Sequence, residues 1–192
     1  CAVSNLTISP RSFQKAAERE EMFLNLFNGK TGTTELLRTT YYDTGEQVLL
    51  MRSYPQTLFD IFNERLSRGI LLEELKMSYA RQLAETLSFI HSEGVCHRDV
   101  KPENILVDGE KIVITDFGLS CKFDDKESVK EDVGSPHYIS YELNDYLIMR
   151  RNNIPLPYLR TDPRPGDVFA LGTIFWLIFA EPPLFPWFSD LD

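Results

Sequence analysis

Cysteine, basic charge and long apolar stretches are all scarce in this sequence. The three cysteines, Cys1, Cys96 and Cys121, are scattered and odd in number, which excludes a disulfide framework and a C-x-x-C metal site. Such usage fits a reducing compartment, and we expect a cytoplasmic protein. The formal net charge of −9 argues against a nucleic-acid partner, because neutralising phosphates requires a basic face.

The most apolar run, from Val168 to Ala180, is too short to cross a membrane. As a helix it would be about 20 Å long, whereas the hydrocarbon core of a bilayer is roughly 30 Å thick. A short helix that is apolar all round predicts burial in a protein core, so we expect no membrane partner. The chain begins at Cys1 without a methionine or a signal peptide, and we therefore expect a fragment. The sequence leaves the oligomeric state open.

A glycine-rich phosphate loop is also missing from the sequence, since none of the ten glycines forms a G-x-G-x-x-G pattern. The stretch Gly29-Lys30-Thr31 has the end of a P-loop motif, but Leu24 stands where that motif requires glycine. No apolar strand leads into it either. This stretch therefore predicts a loop between a helix and a strand.

The first quarter of the chain predicts a helix followed by a hairpin. Residues Ser12–Phe27 are rich in Ala, Glu, Lys and Leu, as helices are. Two stretches typical of strands follow, Thr34–Tyr42 and Gln47–Arg52, joined by the turn signal Asp43-Thr44-Gly45.

The middle of the chain predicts a long helix and a second hairpin. Apolar residues recur at spacings of three and four, which indicates an amphipathic helix, and Gly94 stands where a left-handed cap would end it. The residues with this spacing are Leu72, Leu75, Tyr79, Leu83, Leu87 and Ile90. Strand candidates Ile105–Val107 and Lys111–Thr115 flank the turn dipeptide Asp108-Gly109. Residues 119–133 are typical of a mobile loop, and we interpret residues 143–166 as an irregular insertion.

The residues around the second hairpin suit phosphoryl transfer, which needs an oriented nucleophile, a divalent metal and a cation on the transferred group. Asp99 is the candidate base that orients a substrate hydroxyl, and Lys101 would hold the γ-phosphate. Asn104 and Asp116 offer the hard oxygen ligands that Mg²⁺ prefers. These residues belong to two motifs, His97-Arg98-Asp99-Val100-Lys101-Pro102-Glu103-Asn104 and Asp116-Phe117-Gly118.

These motifs resemble the catalytic loop and the metal-binding loop of eukaryotic protein kinases, in the serine/threonine branch. Three further segments agree in order. Gly134–Tyr138 resembles the substrate-binding end of the activation segment, and Ser140-Tyr141-Glu142 takes the place of Ala-Pro-Glu. Asp167–Gly172 resembles the start of the buried central helix, whose aspartate would bind the catalytic-loop backbone.

The resemblance implies an α+β, bilobal protein-kinase-like fold. Residues 1–54 would form a partial small β lobe with one helix, without its glycine-rich loop. Residues 55–192 would form a mainly helical large lobe, truncated after the central helix.

The implied function is transfer of the ATP γ-phosphate to serine or threonine hydroxyls of a protein substrate, with Mg²⁺. The alternatives are a pseudokinase that acts as a binding or scaffolding module, and a small-molecule phosphotransferase of related fold. Calcium/calmodulin- and AMP-kinase-like proteins are the nearest subgroup.

The same resemblance assigns roles around the regulatory helix, residues 12–27. Glu20 is the choice for the glutamate that pairs with the phosphate-binding lysine, with Glu18 and Glu21 as rivals. Ser4 stands where that lysine is expected, which leaves Glu20 without its partner.

Four residues would surround the adenine of ATP by resemblance. Met51 would lie at the gate of the adenine pocket and Ser53 in the hinge that follows. Ala2 and Leu106 would lie on the two faces of the ring.

A regulatory hypothesis concerns Arg98, which precedes the catalytic aspartate as in kinases whose activation loop is ordered by a phosphate. Glu131 and Asp132 occupy the position of that phosphate and would partly replace it. The alternatives are that both are solvated loop charges and that Ser128 is phosphorylated.

Overall fold

The computed structural model describes residues 10–28, 30, 32–68, 72–125, 133–154 and 162–180. Ala2, Ser4, Ser128, Glu131 and Asp132 lie outside these residues, so the predictions made for them stay predictions.

Five helices and seven short strands make up the described chain. The helices are α1 (Pro10–Phe27), α2 (Leu58–Arg68), α3 (Glu73–Ser92), α4 (Tyr141–Arg151) and α5 (Arg164–Phe179). The strands are β1 (Leu36–Tyr41), β2 (Gln47–Met51), β3 (Gln56–Thr57), β4 (Val95–Cys96), β5 (Ile105–Asp108), β6 (Lys111–Ile114) and β7 (Cys121–Lys122). Single 3-10 turns cover Pro102–Asn104 and Pro136–Tyr138.

Helix α1 packs beside the antiparallel hairpin of β1 and β2, as the sequence predicted. The hairpin closes where Tyr41 faces Gln47, and Gly45 has the positive φ of 86° that its turn requires. Phe23 and Phe27 are buried on one face of α1. This face lies towards the rest of the protein, because Phe27 contacts rings outside the helix and hairpin.

The segment between α1 and β1 joins this part of the molecule to the larger part. Ile114 N–H donates to the carbonyl of Gly32, and Thr34 N–H donates to the carbonyl of Ile114. Gly32 has a φ of 91°, and a Cβ there would lie 1.9 Å from Thr86 Oγ1. Only glycine fits so close to α3 with this backbone. Helix α1 ends at Phe27 and β1 begins at Leu36, so a connection between a helix and a strand lies where it was predicted. Gly29 and Thr31 themselves lie outside the described residues.

Helices α2 and α3 are the first two helices of the larger part of the molecule. Thr57 and Asp60 cap α2 reciprocally, since Asp60 N–H donates to Thr57 Oγ1 at 3.1 Å and Thr57 N–H donates to Asp60 Oδ2 at 2.8 Å. Four residues of the predicted apolar stripe are buried on α3: Tyr79, Leu83, Leu87 and Ile90. Leu75 is only partly buried, and Leu72 precedes the helix and is 67 % exposed, so the buried stripe is shorter than the spacing predicted. Gly94 follows the helix with a φ of 78°, as predicted.

Two small sheets hold the segments that carry the motifs. The order β3-β5-β6 forms one sheet, and β4 pairs with β7 in the other. The predicted turn lies between β5 and β6, with Gly109 at a φ of 61°. Strand β7 falls within residues 119–133, where we predicted only a loop. A strand of two residues leaves no periodic pattern in a sequence, so that prediction missed it.

Helix α4 contradicts the irregular insertion predicted for residues 143–166. Ser140 Oγ caps it by accepting from Leu143 N–H at 3.3 Å. Leu143, Tyr146 and Leu147 are buried on one side, at the spacing of three and four that predicts a helix. The prolines and arginines that follow concealed this signal. Residues 155–161 lie outside the described chain.

Helix α5 begins before the predicted apolar run, and part of its surface is exposed. Ile174 and Ile178 are fully buried, whereas Val168 is 56 % exposed and Trp176 is 45 % exposed. The sequence predicted that this helix is buried on all sides. For the face that carries Val168 and Trp176, that prediction is wrong. Within the described chain, no helix is long and apolar enough to cross a membrane.

Candidate active site

The backbone of the catalytic loop is held by Asp167, which is almost completely buried near the start of α5. Its Oδ2 accepts from His97 N–H at 2.8 Å, and its Oδ1 accepts from Arg98 N–H at 2.7 Å. His91 Nε2 lies 2.9 Å from Oδ2. The predicted role of Asp167 is confirmed, because these bonds satisfy two buried N–H groups that the loop geometry leaves without a backbone partner.

The side chain of His97 links the catalytic loop to the residue before Asp116. Its Nδ1 accepts from Asp99 N–H at 3.2 Å, so we assign the proton to Nε2, which then donates to the carbonyl of Thr115 at 3.0 Å. The ring of Phe117 lies edge-on, with centroids 5.0 Å apart. The two motifs therefore pack as one unit.

Three donors surround the carboxylate of Asp99, which is only 6 % exposed. Lys101 Nζ lies 2.8 Å from Oδ2, and Asn104 Nδ2 donates to the same oxygen at 3.0 Å. Ser135 Oγ donates to Oδ1 at 2.7 Å. Lys101 Nζ also lies 2.9 Å from Ser135 Oγ. The carboxylate is therefore fixed in direction, as a base must be to orient a hydroxyl.

The oxygen atoms predicted to hold Mg²⁺ fit that role. Asn104 is 6 % exposed, and its Nδ2 binds the carbonyl and carboxylate of Asp99. Its Oδ1 accepts no hydrogen bond from any residue that the structure describes, which leaves a buried oxygen available as a ligand. Asp116 is exposed, and within the described chain its Oδ1 accepts a single long bond, 3.4 Å, from Gly118 N–H. Thr115 N–H donates to the carbonyl of Asn104 at 3.0 Å, which holds the two ligand segments together.

Two residues of the site have a strained backbone. Arg98 has a φ of 68° and Asp116 a φ of 64°, in the left-handed region that costs a non-glycine residue about 1–3 kcal/mol. The surrounding bonds maintain these conformations. Arg98 Nε, for example, donates to the carbonyl of Leu119 at 2.6 Å.

Among the three glutamates considered on α1, Glu20 faces the metal-binding loop. It is half-buried, near the Asp116 carboxylate and the backbone N–H of Phe117. Burial and the Asp116 carboxylate raise the pKa of Glu20 to about 7, against the smaller lowering effect of the Phe117 N–H. Glu18 is exposed, with Gln14 Nε2 at 3.1 Å. Glu21 faces the hairpin, where it accepts from Thr39 Oγ1 and Gln47 Nε2.

The residues predicted to surround adenine are placed on three different segments. Met51 ends β2 and is 37 % exposed. Ser53 is exposed two residues later. Leu106 is half-buried on β5, opposite Thr57. The roles of these three residues around adenine stay predictions, and Ala2 lies outside the described residues.

Sequence reasoning missed the contact of Ser135 with the catalytic carboxylate. The segment Gly134–Tyr138 was noted for its resemblance to a peptide-binding loop, but not for a hydroxyl aimed at Asp99. The available signal was a serine directly after Gly134, and only the fold brings it across 36 residues to Asp99.

A buried aspartate loop, an adjoining metal-binding loop and a mixed helix-and-sheet frame define a protein kinase catalytic domain. Residues 10–190 match the protein kinase domain family, so the chain belongs to that family. The predicted kinase-like α+β fold, in partial form, is thereby confirmed.

The chain is similar to mitogen-activated protein kinase 15 of Xenopus laevis, with 31 % identity over 195 residues that cover 100 % of this chain and 30 % of that protein. It is similar to the phosphorylase b kinase gamma catalytic chain, liver/testis isoform, of Homo sapiens. There the identity is 34 % over 134 residues, or 67 % of this chain and 29 % of that protein.

A third relative is CBL-interacting serine/threonine-protein kinase 15 of Arabidopsis thaliana, 34 % identical over 125 residues, or 63 % of this chain and 27 % of that protein. The chain thus spans less than a third of the length of each of these relatives. All three carry the names of kinases, and nothing in these comparisons supports the pseudokinase alternative.

Proposed function

We propose that this chain is the catalytic part of a serine/threonine protein kinase that transfers the γ-phosphate of ATP to hydroxyls of a protein substrate. The observation that carries the proposal is the Asp99 carboxylate, bound by Lys101, Asn104 and Ser135 in one cluster. A base, a cation and a metal ligand are the groups that phosphoryl transfer requires, and here they meet within hydrogen-bonding distance.

Each residue of the cluster has a distinct task in this proposal. Asp99 accepts a hydrogen bond from the substrate hydroxyl and takes its proton as the oxygen attacks. Lys101 lies beside it and stabilises the negative charge of the transferred group. Asn104 and Asp116 would hold Mg²⁺, which supplies positive charge against the phosphates when bound.

The choice of a protein substrate rests on Ser135 and its segment. The Ser135 hydroxyl touches both Asp99 and Lys101, so the segment that resembles a peptide-docking loop lies at the catalytic carboxylate. A small-molecule phosphotransferase would have no use for such a segment. We also propose that the protein works in the cytoplasm, where the free thiols of Cys96 and Cys121 suit reducing conditions.

The test is phosphate transfer by the complete protein, with Mg²⁺-ATP and a mixture of serine- and threonine-containing peptides. Asp99→Asn and Asp116→Ala are compared with a matched control, Asp145→Ala, which changes an exposed aspartate on α4. We expect both site variants to lose about 10²–10⁴-fold in rate and the control to keep full activity. Equal rates in all four proteins would exclude the enzyme. Nucleotide binding without transfer would favour a scaffolding module.

A further inference from the structure

Three different kinds of metal ligand meet in a cluster next to the catalytic loop. His91 lies in the last turn of α3, Cys96 in β4 and Asp167 in the first turn of α5. Each offers one ligand atom (an imidazole nitrogen, a thiol sulfur and a carboxylate oxygen), and these atoms all lie within 4.8 Å of one another. The cluster contains neither of the residues predicted to hold Mg²⁺, so it is a separate candidate site.

Cys96 supplies the soft ligand of this cluster. Its side chain is fully buried, and its thiol has no hydrogen-bond partner among the residues that the structure describes. Burial and the nearby Asp167 carboxylate raise the pKa of this thiol, so it stays protonated until a metal binds and displaces the proton. Thiolate sulfur favours Zn²⁺ over Mg²⁺, and it therefore decides which metal suits the cluster.

The carboxylate of Asp167 can accept a metal without releasing the catalytic loop. Its Oδ1 accepts from Arg98 N–H, and its Oδ2 accepts from His97 N–H and lies 2.9 Å from His91 Nε2. An ionised carboxylate has about four lone-pair positions. The position that faces His91 can therefore go to a metal while both backbone bonds remain, and such outer bonds fix the direction of a ligating carboxylate.

His91 gives the cluster its contact with solvent. Its side chain is 17 % exposed, whereas that of Asp167 is 1 % exposed. A neutral imidazole can carry its proton on Nδ1 instead of Nε2, which frees Nε2 for a metal. Ligand atoms around a tetrahedral zinc ion are roughly 3–4 Å apart, so small rotations of the side chains suffice to reach that spacing.

We propose that His91, Cys96 and Asp167 form a zinc site. Water would complete the four positions, as in other zinc sites with three protein ligands. The ion would tie α3, β4 and α5 together at the residue before His97 and so stabilise the catalytic loop. Mg²⁺ prefers oxygen ligands alone, so it would not compete for this site. The proposal goes beyond phosphate transfer and does not depend on it.

The test uses Co²⁺ as a spectroscopic substitute for zinc, added to the full chain under reducing conditions. Thiolate bound to Co²⁺ gives a charge-transfer band, and displacement of Co²⁺ by Zn²⁺ measures the zinc affinity. Cys96→Ala removes the sulfur, and His91→Gln removes the imidazole but keeps an N–H donor for Asp167. Cys121→Ala is the matched control, because Cys121 is a buried free cysteine that faces Cys96 across the sheet and lies outside the cluster.

We expect the parent protein to bind one Co²⁺ per chain with a charge-transfer band, which excess Mg²⁺ leaves unchanged and one Zn²⁺ abolishes. Loss of an outer-shell partner costs about 10–100-fold in metal affinity. Loss of a ligand, in Cys96→Ala or His91→Gln, should therefore weaken zinc binding about a hundredfold or more. Cys96→Ala should also lose the charge-transfer band, and Cys121→Ala should keep both the band and the affinity.

Three results would overturn the proposal. The first is that the parent protein binds no zinc in a ratio of one to one. The second is that zinc binds as tightly to Cys96→Ala and His91→Gln as to the parent. The third is that the charge-transfer band is lost in Cys121→Ala, which would assign the metal to the other cysteine.

Circular dichroism checks that each variant is folded, and if one site variant unfolds, the other decides the result. None of these measurements needs phosphate transfer. A protein that transfers phosphate but binds no zinc would refute this proposal alone. A protein that binds zinc at this site without transferring phosphate would refute only the proposed function.

Discussion

The loop of Asp116 has two neighbours that differ in how well their polar groups are satisfied. On the side of the catalytic loop, buried Asp167 receives two backbone N–H bonds and lies 2.9 Å from His91 Nε2, and Asp99 has three donors. On the side of α1, half-buried Glu20 faces the negative charge of Asp116. Both sides are packed, but the carboxylates on the side of the catalytic loop are better compensated by hydrogen-bond donors than Glu20 is.

This difference has an energetic meaning. Buried polar groups with good partners stabilise a single arrangement, whereas a buried carboxyl next to another carboxylate resists ionisation. The catalytic loop is therefore held in one geometry by the core itself. The packing of α1 against the Asp116 loop therefore depends on whether Glu20 is protonated.

Removing the carboxylate of Asp167, the acceptor on the side of the catalytic loop, should have the largest effect on stability. Asp167→Ala leaves the buried N–H groups of His97 and Arg98 without a partner, and we expect a loss of about 3 kcal/mol or more in the free energy of unfolding. Urea denaturation measures it. Asp162→Ala is the control, because its bonds to Arg164 lie at the surface and should matter little. A loss no larger than in this control would contradict the comparison.

On the other side, stability should depend on pH through Glu20. Its pKa is about 7 in the folded protein against 4.5 in the unfolded chain, so protonation favours the folded state. The stabilisation is complete below pH 4.5 and is lost as the pH rises to about 7, on the order of 2 kcal/mol.

The measurement compares the parent protein with Glu20→Gln, without metal, between pH 4.5 and pH 8. The unfolding free energy of the parent should fall relative to the variant as the pH rises. Parallel curves for the two proteins would show that Glu20 is not the group responsible.

The smallest expected effect is that of changing Ser135, because its hydroxyl is one of three hydrogen-bond donors to the Asp99 carboxylate. Ser135→Ala should reduce the rate of phosphate transfer about tenfold, the value of a single hydrogen bond. Ser135→Thr keeps the hydroxyl and should restore most of the rate. An alanine variant as active as the parent would show that Lys101 and Asn104 orient Asp99 without help.

The sequence predicted the parts of this molecule that depend on short-range pattern. The spacing of α3, the hairpin turns at Gly45 and Gly109, and the order of the motifs are all local signals. Glu20 was chosen as the glutamate that pairs with a lysine, on a helix face shared with Phe23 and Phe27, and that role stays a prediction. Its pattern on the helix did not indicate that it would lie beside the carboxylate of Asp116.

Contacts between segments that lie far apart in the chain could not be predicted from these local patterns. Nothing near Ser135 indicates that its hydroxyl reaches Asp99, since that contact joins segments that are 36 residues apart in the chain. Helix α4 was missed for a different reason. Its apolar spacing was present, but the prolines after it suggested irregular structure throughout.

The pairing of β4 with β7 also bears on how the protein folds. Phe123 N–H donates to the carbonyl of Gly94, which closes a segment of about thirty residues that contains both motifs and the hairpin of β5 and β6. Closing so short a segment costs little chain entropy, and contacts of low sequence separation form early. We expect the residues of phosphate chemistry to assemble within one local folding unit, before α1 docks on it.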